Sequence, residues 1–156
     1  MSTFRFRPRY RGVAWTAIGL GGGLGVVATV LGFAAMPLTT GILGIALGGA
    51  YLNSRTWKFV VVTDADGLEV RDGKGTRFRL RWTEIVRVVA SPSTKTCFVD
   101  GGRPEHSLLV PGDGAPAPYA ITDRDELFAT ILERVTPDRI ETVETLERAT
   151  AATKPA

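Results

Sequence analysis

The chain changes character at residue 55. Between Arg11 and Arg55 no side chain is charged, and most are Gly, Ala, Val, Leu or Ile. A membrane-spanning helix needs roughly 20 apolar residues, and this run is about twice that, so it predicts two helices. Pro37, in Met36-Pro37-Leu38-Thr39-Thr40, disfavours helix in the residue before it, which puts the break there. The expectation is helix over about 13–35, helix over about 38–54 and a short turn between. Because the second segment is short, a shallow re-entrant hairpin is the competing reading for the pair. A cleaved signal peptide fits poorly, because the apolar segment exceeds an h-region and a second one follows at once.

Beyond residue 55 the period falls to two. Residues 57–63 are β-branched and aromatic and read as strand. Asp64-Ala65-Asp66-Gly67 and Asp72-Gly73-Lys74-Gly75 carry turn chemistry around a strand at 68–71. In 76–82, Phe78, Leu80 and Trp82 take one face and Arg77, Arg79 and Arg81 the other. The resulting hairpin pairs Leu68 with Leu80 and Val70 with Phe78, and sets Glu69 opposite Arg79. A brief helical turn at 82–85 precedes a strand at 86–90, and 96–100, 107–110 and 119–121 read as three more. A helix then opens at Thr122 as N-cap, with Asp123, Asp125 and Glu126 at its positive end. Leu127, Phe128, Ile131, Leu132 and Val135 form its apolar face. Pro137 suits the first position of a further helix over 137–149, and 150–156 reads as a disordered tail.

Charge divides the chain in the same way. Residues 1–81 hold eleven Lys/Arg against four Asp/Glu, and residues 82–156 hold eight against twelve. Arg5, Arg7, Arg9 and Arg11 precede the apolar run, and Arg55 and Lys58 follow it. By the positive-inside rule both flanks, and so both termini, face the cytoplasm. Tyr10, Trp15, Tyr51 and Trp57 lie where interfacial aromatics belong. Basic residues beside an apolar run suit anionic lipid of the inner leaflet better than nucleic acid, and no aromatic–basic RNA-binding motif is present.

Glycine is concentrated in the apolar run: Gly19, Gly21, Gly22, Gly23 and Gly25, then Gly41, Gly44, Gly48 and Gly49. Gly19/Gly23, Gly21/Gly25 and Gly44/Gly48 are small-xxx-small pairs that let helix backbones approach closely. Gly21, Gly22 and Gly23 point about 100° apart around a helix, more than one seam needs. That favours contact with further copies of the chain.

The segment Asp66-Gly67-Leu68-Glu69-Val70, followed by Phe78-Arg79-Leu80-Arg81-Trp82-Thr83-Glu84-Ile85-Val86-Arg87-Val88, resembles the bacterial pleckstrin-homology-domain membrane proteins, with their "DGL-x-V" hairpin and "W-x-x-I-x-x-V" step. The resemblance covers about 57–135. It implies a membrane-anchored α+β fold: a two-helix transmembrane hairpin, then a split β-barrel of about seven strands capped by an amphipathic helix. It implies binding and scaffolding and no catalysis. The domain plan is a basic cytoplasmic N-terminus over 1–12, the hairpin over 13–54, the barrel over 55–136, the extra helix and the tail. Trp82, Ile85 and Val88 are expected to be packing residues.

Chemistry-bearing groups are sparse. Cys97 is the single cysteine and His106 the single histidine, so neither a disulfide nor a zinc ligand set is available, and no cofactor is expected. No serine or threonine has a base placed for it by spacing. Gly73-Lys74-Gly75 lacks the phosphate-loop frame. The candidate anion contacts are Arg71, Lys74, Arg77, Arg79 and Arg81, against the plainer reading of a solvated strand face. The leading expectation is a self-associating, membrane-anchored scaffold on the cytoplasmic face of a bacterial inner membrane, as a homo-oligomer or a subunit of a larger complex. An anionic-lipid sensor and a small pore subunit are the alternatives.

Overall fold

The computed structural model describes residues 1–32 and 35–144, with backbone alone at 35–37. The chain forms two compact units. One is built from Met1–Arg7 and the residues from Lys58 onward, the other from Pro8–Trp57.

The first unit holds two sheets. Strands β1 (Ser2–Pro8), β2 (Val60–Thr63), β3 (Gly67–Asp72), β4 (Gly75–Arg81) and β8 (Tyr119–Ile121) form a five-stranded sheet in the order β4-β3-β2-β1-β8. Strands β5 (Arg87–Ser91), β6 (Thr96–Asp100), β7 (Ser107–Val110) and β9 (Ile140–Thr142) form a four-stranded sheet in the order β7-β6-β5-β9. A 3-10 turn at Trp82–Glu84 carries the chain from one to the other. The core joins Phe4, Phe6, Leu68 and Ile85 to Leu127 and Ile131 of helix α3 (Arg124–Arg134). Trp82, Ile85 and Val88 are all buried, so the aromatic–aliphatic step packs as its spacing indicates. The β3–β4 register is the one read from alternation: Leu68 faces Leu80, Val70 faces Phe78 and Glu69 faces Arg79.

The seven-stranded barrel after a two-span hairpin is corrected by these observations. Among the described residues there are nine strands in two sheets, and one helix is long and apolar enough to cross a membrane. The two unforeseen strands lie at the ends. β1 comes from the segment read as a basic cytoplasmic tail; Phe4 and Phe6 point into the core while Arg5 and Arg7 alternate outward. β9 occupies the start of the helix expected over 137–149, after a 3-10 turn at Pro137–Arg139, and runs parallel to β5. Arg139 fixes that turn by donating to the carbonyls of Thr83 at 2.7 Å and Ile85 at 2.6 Å. The remainder of that expected helix and the tail over 150–156 lie outside the described residues. Thr122 is not the cap of α3. Its Oγ1 accepts the Arg5 backbone N–H at 2.8 Å and so joins β8 to β1, while Asp123 takes the cap position.

The second unit is a pair of helices, α1 (Arg11–Leu31) and α2 (Ala35–Leu52). The break falls earlier than Pro37 indicates: α1 stops at Gly32 in a left-handed conformation, which glycine adopts without steric cost. Pro37 sits inside the first turn of α2, where a missing N–H breaks no helical bond. The helices are antiparallel. A Cβ on Gly21 would stand 2.5 Å from the Gly41 carbonyl, one on Gly44 2.9 Å from Ala17 O, and one on Gly48 2.8 Å from Ala14 O.

Candidate functional site

Two surfaces carry the features that sequence reading singled out. The first is the outer face of the five-stranded sheet. Cross-strand partners share a face, so Arg71, Val60 and Arg5 form one row and Arg79, Glu69, Val62 and Thr3 the next. Arg7 follows Arg5 on β1 by alternation, and Arg81 follows Arg79 on β4. The N-terminal arginines and the hairpin arginines, assigned separately to a flank and a stripe, are therefore one basic surface.

Two of its carboxylates are already engaged. Glu69 is 7% exposed. It accepts Arg71 Nε at 2.7 Å and Nη2 at 2.9 Å, together with the Thr76 hydroxyl. Those hydrogen bonds, Arg71 first, outweigh the cost of burial and hold its carboxyl at about 2. Asp64 accepts the backbone N–H groups of Asp66 and Gly67 and pairs with Arg79 at 2.9 Å. The Gly67 amide, the first cause, keeps the Asp64 carboxyl below its ordinary range. No carboxylate among the described residues pairs with the side chains of Arg5, Arg7 or Arg81. At the β4 end of this face an open cleft of about 690 Å³ is lined by Ala65, Asp66, Arg79, Arg81, Trp82 and Thr83. In its wall, Trp82 Nε1 donates to Asp64 O at 3.2 Å and Trp82 N to Asp66 O at 3.1 Å.

Two residues of the expected stripe lie apart from it. A register shift after Val70 takes Arg77 out of the paired rows, and its guanidinium lies 5.2 Å from the centre of the Phe59 ring. Lys74 is in the exposed β3–β4 turn, where its N–H caps Asp72. Lys58 lies beside that turn, its stem against Gly73. Arg5 and Arg7 read as a flank in the sequence; the period-two run Thr3-Phe4-Arg5-Phe6-Arg7 carried the signal for a strand.

The second surface belongs to the helix pair. Leu20, Val26, Val30, Ile42 and Leu47 are exposed, on helices without a charged residue after Arg11. Of the packing glycines expected from sequence, Gly21, Gly44 and Gly48 form the seam, with Gly41 added and the Gly25 backbone against it. A Cβ on Gly19, Gly22 or Gly23 would meet nothing within 4 Å. One end of the pair gathers aromatics: the Tyr10 N–H donates to Tyr51 Oη at 2.9 Å, and Trp57 Nε1 donates to Tyr51 O at 2.6 Å. Arg9, Arg11 and Arg55 adjoin that end in sequence, and Arg9 lies 6.0 Å from the Tyr10 ring centre.

Elsewhere the titratable groups are structural. Burial pushes the Cys97 thiol up to about 12 and the Tyr119 phenol likewise up to about 12. His106 stacks on Phe78 at 5.7 Å. Among the described residues no three His, Cys, Asp or Glu side chains converge in a way that could hold a metal. No protein-family model, curated protein or solved structure matches the chain.

Proposed function

We propose that this chain is a membrane-anchored, non-catalytic interaction module, displayed on the cytoplasmic face of its membrane. The helical unit is the anchor, with α1 as its spanning element and α2 packed along it. The observation that carries the reading is an apolar exterior on a helix pair inserted between two adjacent strands. Only 17% of the most apolar part of α1 is buried. That is too little for the core helix of a water-soluble protein. At a rise of roughly 1.5 Å per residue, the 21 residues of α1 extend about 31 Å. That matches the thickness of a bilayer's hydrocarbon core. Removal of α1 as a signal sequence would also strip β1, with Phe4 and Phe6, from the core. Because β1 and β2 are hydrogen-bonded neighbours, the chain enters and leaves the helical unit from the same sheet. That pairing supports placing both flanks on one side of the membrane, and their arginines favour the cytoplasmic side.

Sodium carbonate extraction of membranes, with intact-mass analysis of the pellet, tests this reading. Full-length chain retained in the pellet is the expected result. Release into the supernatant, or a chain shortened before β2, contradicts it.

A second reading concerns assembly. Gly19, Gly22 and Gly23 leave the backbone of α1 open away from α2. Self-association through that open backbone is the scaffold reading, and light scattering in mild detergent decides it: a discrete multimer supports it and a monomer removes it.

A further inference from the structure

We infer that the segment 136–144 is a releasable strap over the edge of β5, and that two copies of the chain join by exchanging it, each copy's β9 pairing with the other's β5. The inference rests on the anchoring reading for bringing two copies together, and it adds where they meet.

The way the strap is held is the first argument. Among the described residues each of the other eight strands has at least one buried side chain, and β9 has none. No described residue after Val135 is buried, and Ile140 is half-buried against the core. Most of the ties are polar. Besides the two bonds from Arg139, the Val143 N–H donates to the Ala90 carbonyl at 2.9 Å. The Ser91 and Ser93 hydroxyls donate to Glu144 O at 2.6 Å and 3.1 Å. Arg87 meets Glu141 at 3.4 Å, with both side chains exposed. A segment with few buried apolar contacts opens locally while the rest of the domain stays folded. The joint with α3 permits that opening. Val135 (φ −85°, ψ 139°) and Thr136 (φ −62°, ψ 138°) are already extended, so the strap can leave in a new direction within allowed backbone space.

The identity of the occupant is the second argument. β5 lies between β6 and β9, so with the strap away one edge of β5 has unpaired backbone groups that accept another strand. The strap itself shows what fits there. It sets Ile140 beside Val88, Glu141 beside Val89 and within reach of Arg87, and the Glu144 carbonyl under Ser91 and Ser93. A second copy carries the same segment, so every bond broken within one chain is remade between two. Such an exchange is nearly balanced in contacts. Confinement to one membrane raises the effective concentration of the copies and tips the balance toward the pair.

Crosslinking between full-length chains tests the proposal. Chains with Arg87→Cys and chains with Glu141→Cys are mixed in phosphatidylcholine vesicles and treated with a short bismaleimide. Cys97 stays silent, because it is buried and its thiol is pushed up to about 12. The expected product is a dimer of one chain of each kind. It should exceed by about fivefold the dimer formed when Arg134→Cys, an exposed position on α3, replaces Glu141→Cys. A doubly substituted chain that crosslinks internally, beside a mixture that gives no dimer, would overturn the inference. Equal dimer with Arg134→Cys would also overturn it, by showing general proximity. Hydrogen exchange on the unsubstituted chain is the second measurement. The Val143 amide should exchange about tenfold faster or more than the Phe6 amide, which bonds Phe59 O inside the five-stranded sheet. Equal exchange at the two would make the strap part of the fixed fold and overturn its release. A chain that does not float with the vesicles would instead mark failure of the anchoring reading; the Val143 comparison still decides whether the strap opens.

Discussion

The sheet unit and the helical unit solve opposite problems with one chain. In the sheet unit, large side chains are hidden and charge is displayed: Phe4, Leu68, Ile85, Leu127 and Ile131 are almost wholly buried, while the arginines of β1 and β4 face out. In the helical unit the smallest side chains are hidden. A seam of Gly21, Gly41, Gly44 and Gly48 lets the backbones meet, and Val, Leu and Ile cover the exterior. Hydrophobic burial drives the first arrangement. It cannot drive the second where the surroundings are as apolar as the side chains, and close backbone packing takes its place. On the proposed reading, the two units are folded for two different solvents.

That contrast can be broken from either side. The largest expected effect is in the sheet unit. Phe4→Ala removes a ring that is 1% exposed. It should cost about 4 kcal/mol, read as a fall in the thermal midpoint of the strand circular-dichroism signal. The helical signal should be left in place. The converse substitution is Gly41→Leu, whose Cβ would stand 2.6 Å from the Gly21 carbonyl. It should separate the helices at a cost of about 3 kcal/mol, measured by loss of a cysteine crosslink engineered across the seam, with the strand signal unchanged.

Smaller effects sharpen the comparison. Glu69→Gln loses charge-assisted bonds to Arg71. It should lower the thermal midpoint of the sheet unit at neutral pH, by less than Phe4→Ala does, because Gln can still accept one of those bonds. The folded carboxyl sits at about 2, below its ordinary 4.5, so its stabilisation is full above the ordinary value. It is lost as pH falls toward 2. Thermal midpoints of the wild type should therefore drop between pH 5 and 2.5 more steeply than those of the Gln variant. The smallest effect belongs to Gly22→Ala, whose added methyl meets nothing within 4 Å. It should shift the stability of a single chain by no more than about 0.5 kcal/mol, so any larger change in detergent would report contact between copies.

The strict alternation in 76–82 made the β3–β4 pairing from Leu68–Leu80 to Val70–Phe78 readable, because a slip of one would turn Phe78 and Leu80 to water. β1 shows the limit of the same method. Its alternation is as strict, but a strand is defined by its partners, and those lie more than fifty residues away across the helical insertion. Four arginines before an apolar run already had a sufficient explanation as a membrane flank. β9 had no readable signal, since three residues show no period and a parallel pairing to β5 leaves no turn to mark it. The glycines were recognised as packing residues, but the share of each in the seam depends on helix phase, which composition does not contain. The arginine surface was half legible: parity named Arg79 and Arg81, whereas the shift after Val70 that diverts Arg77, and the strand that adds Arg5 and Arg7, are properties of the assembled sheet.

The central claim is that the helical unit is a lipid-facing insertion between two neighbouring strands of an otherwise water-soluble domain. Replacing residues 8–57 with a short Asn-Gly turn would join Arg7 to Lys58 and close β1 and β2 as a simple antiparallel hairpin. The expected product is soluble without detergent, monomeric, and melts cooperatively with a strand-rich circular-dichroism spectrum. A product that still needs detergent, or that is unfolded once the helices are gone, would contradict the claim.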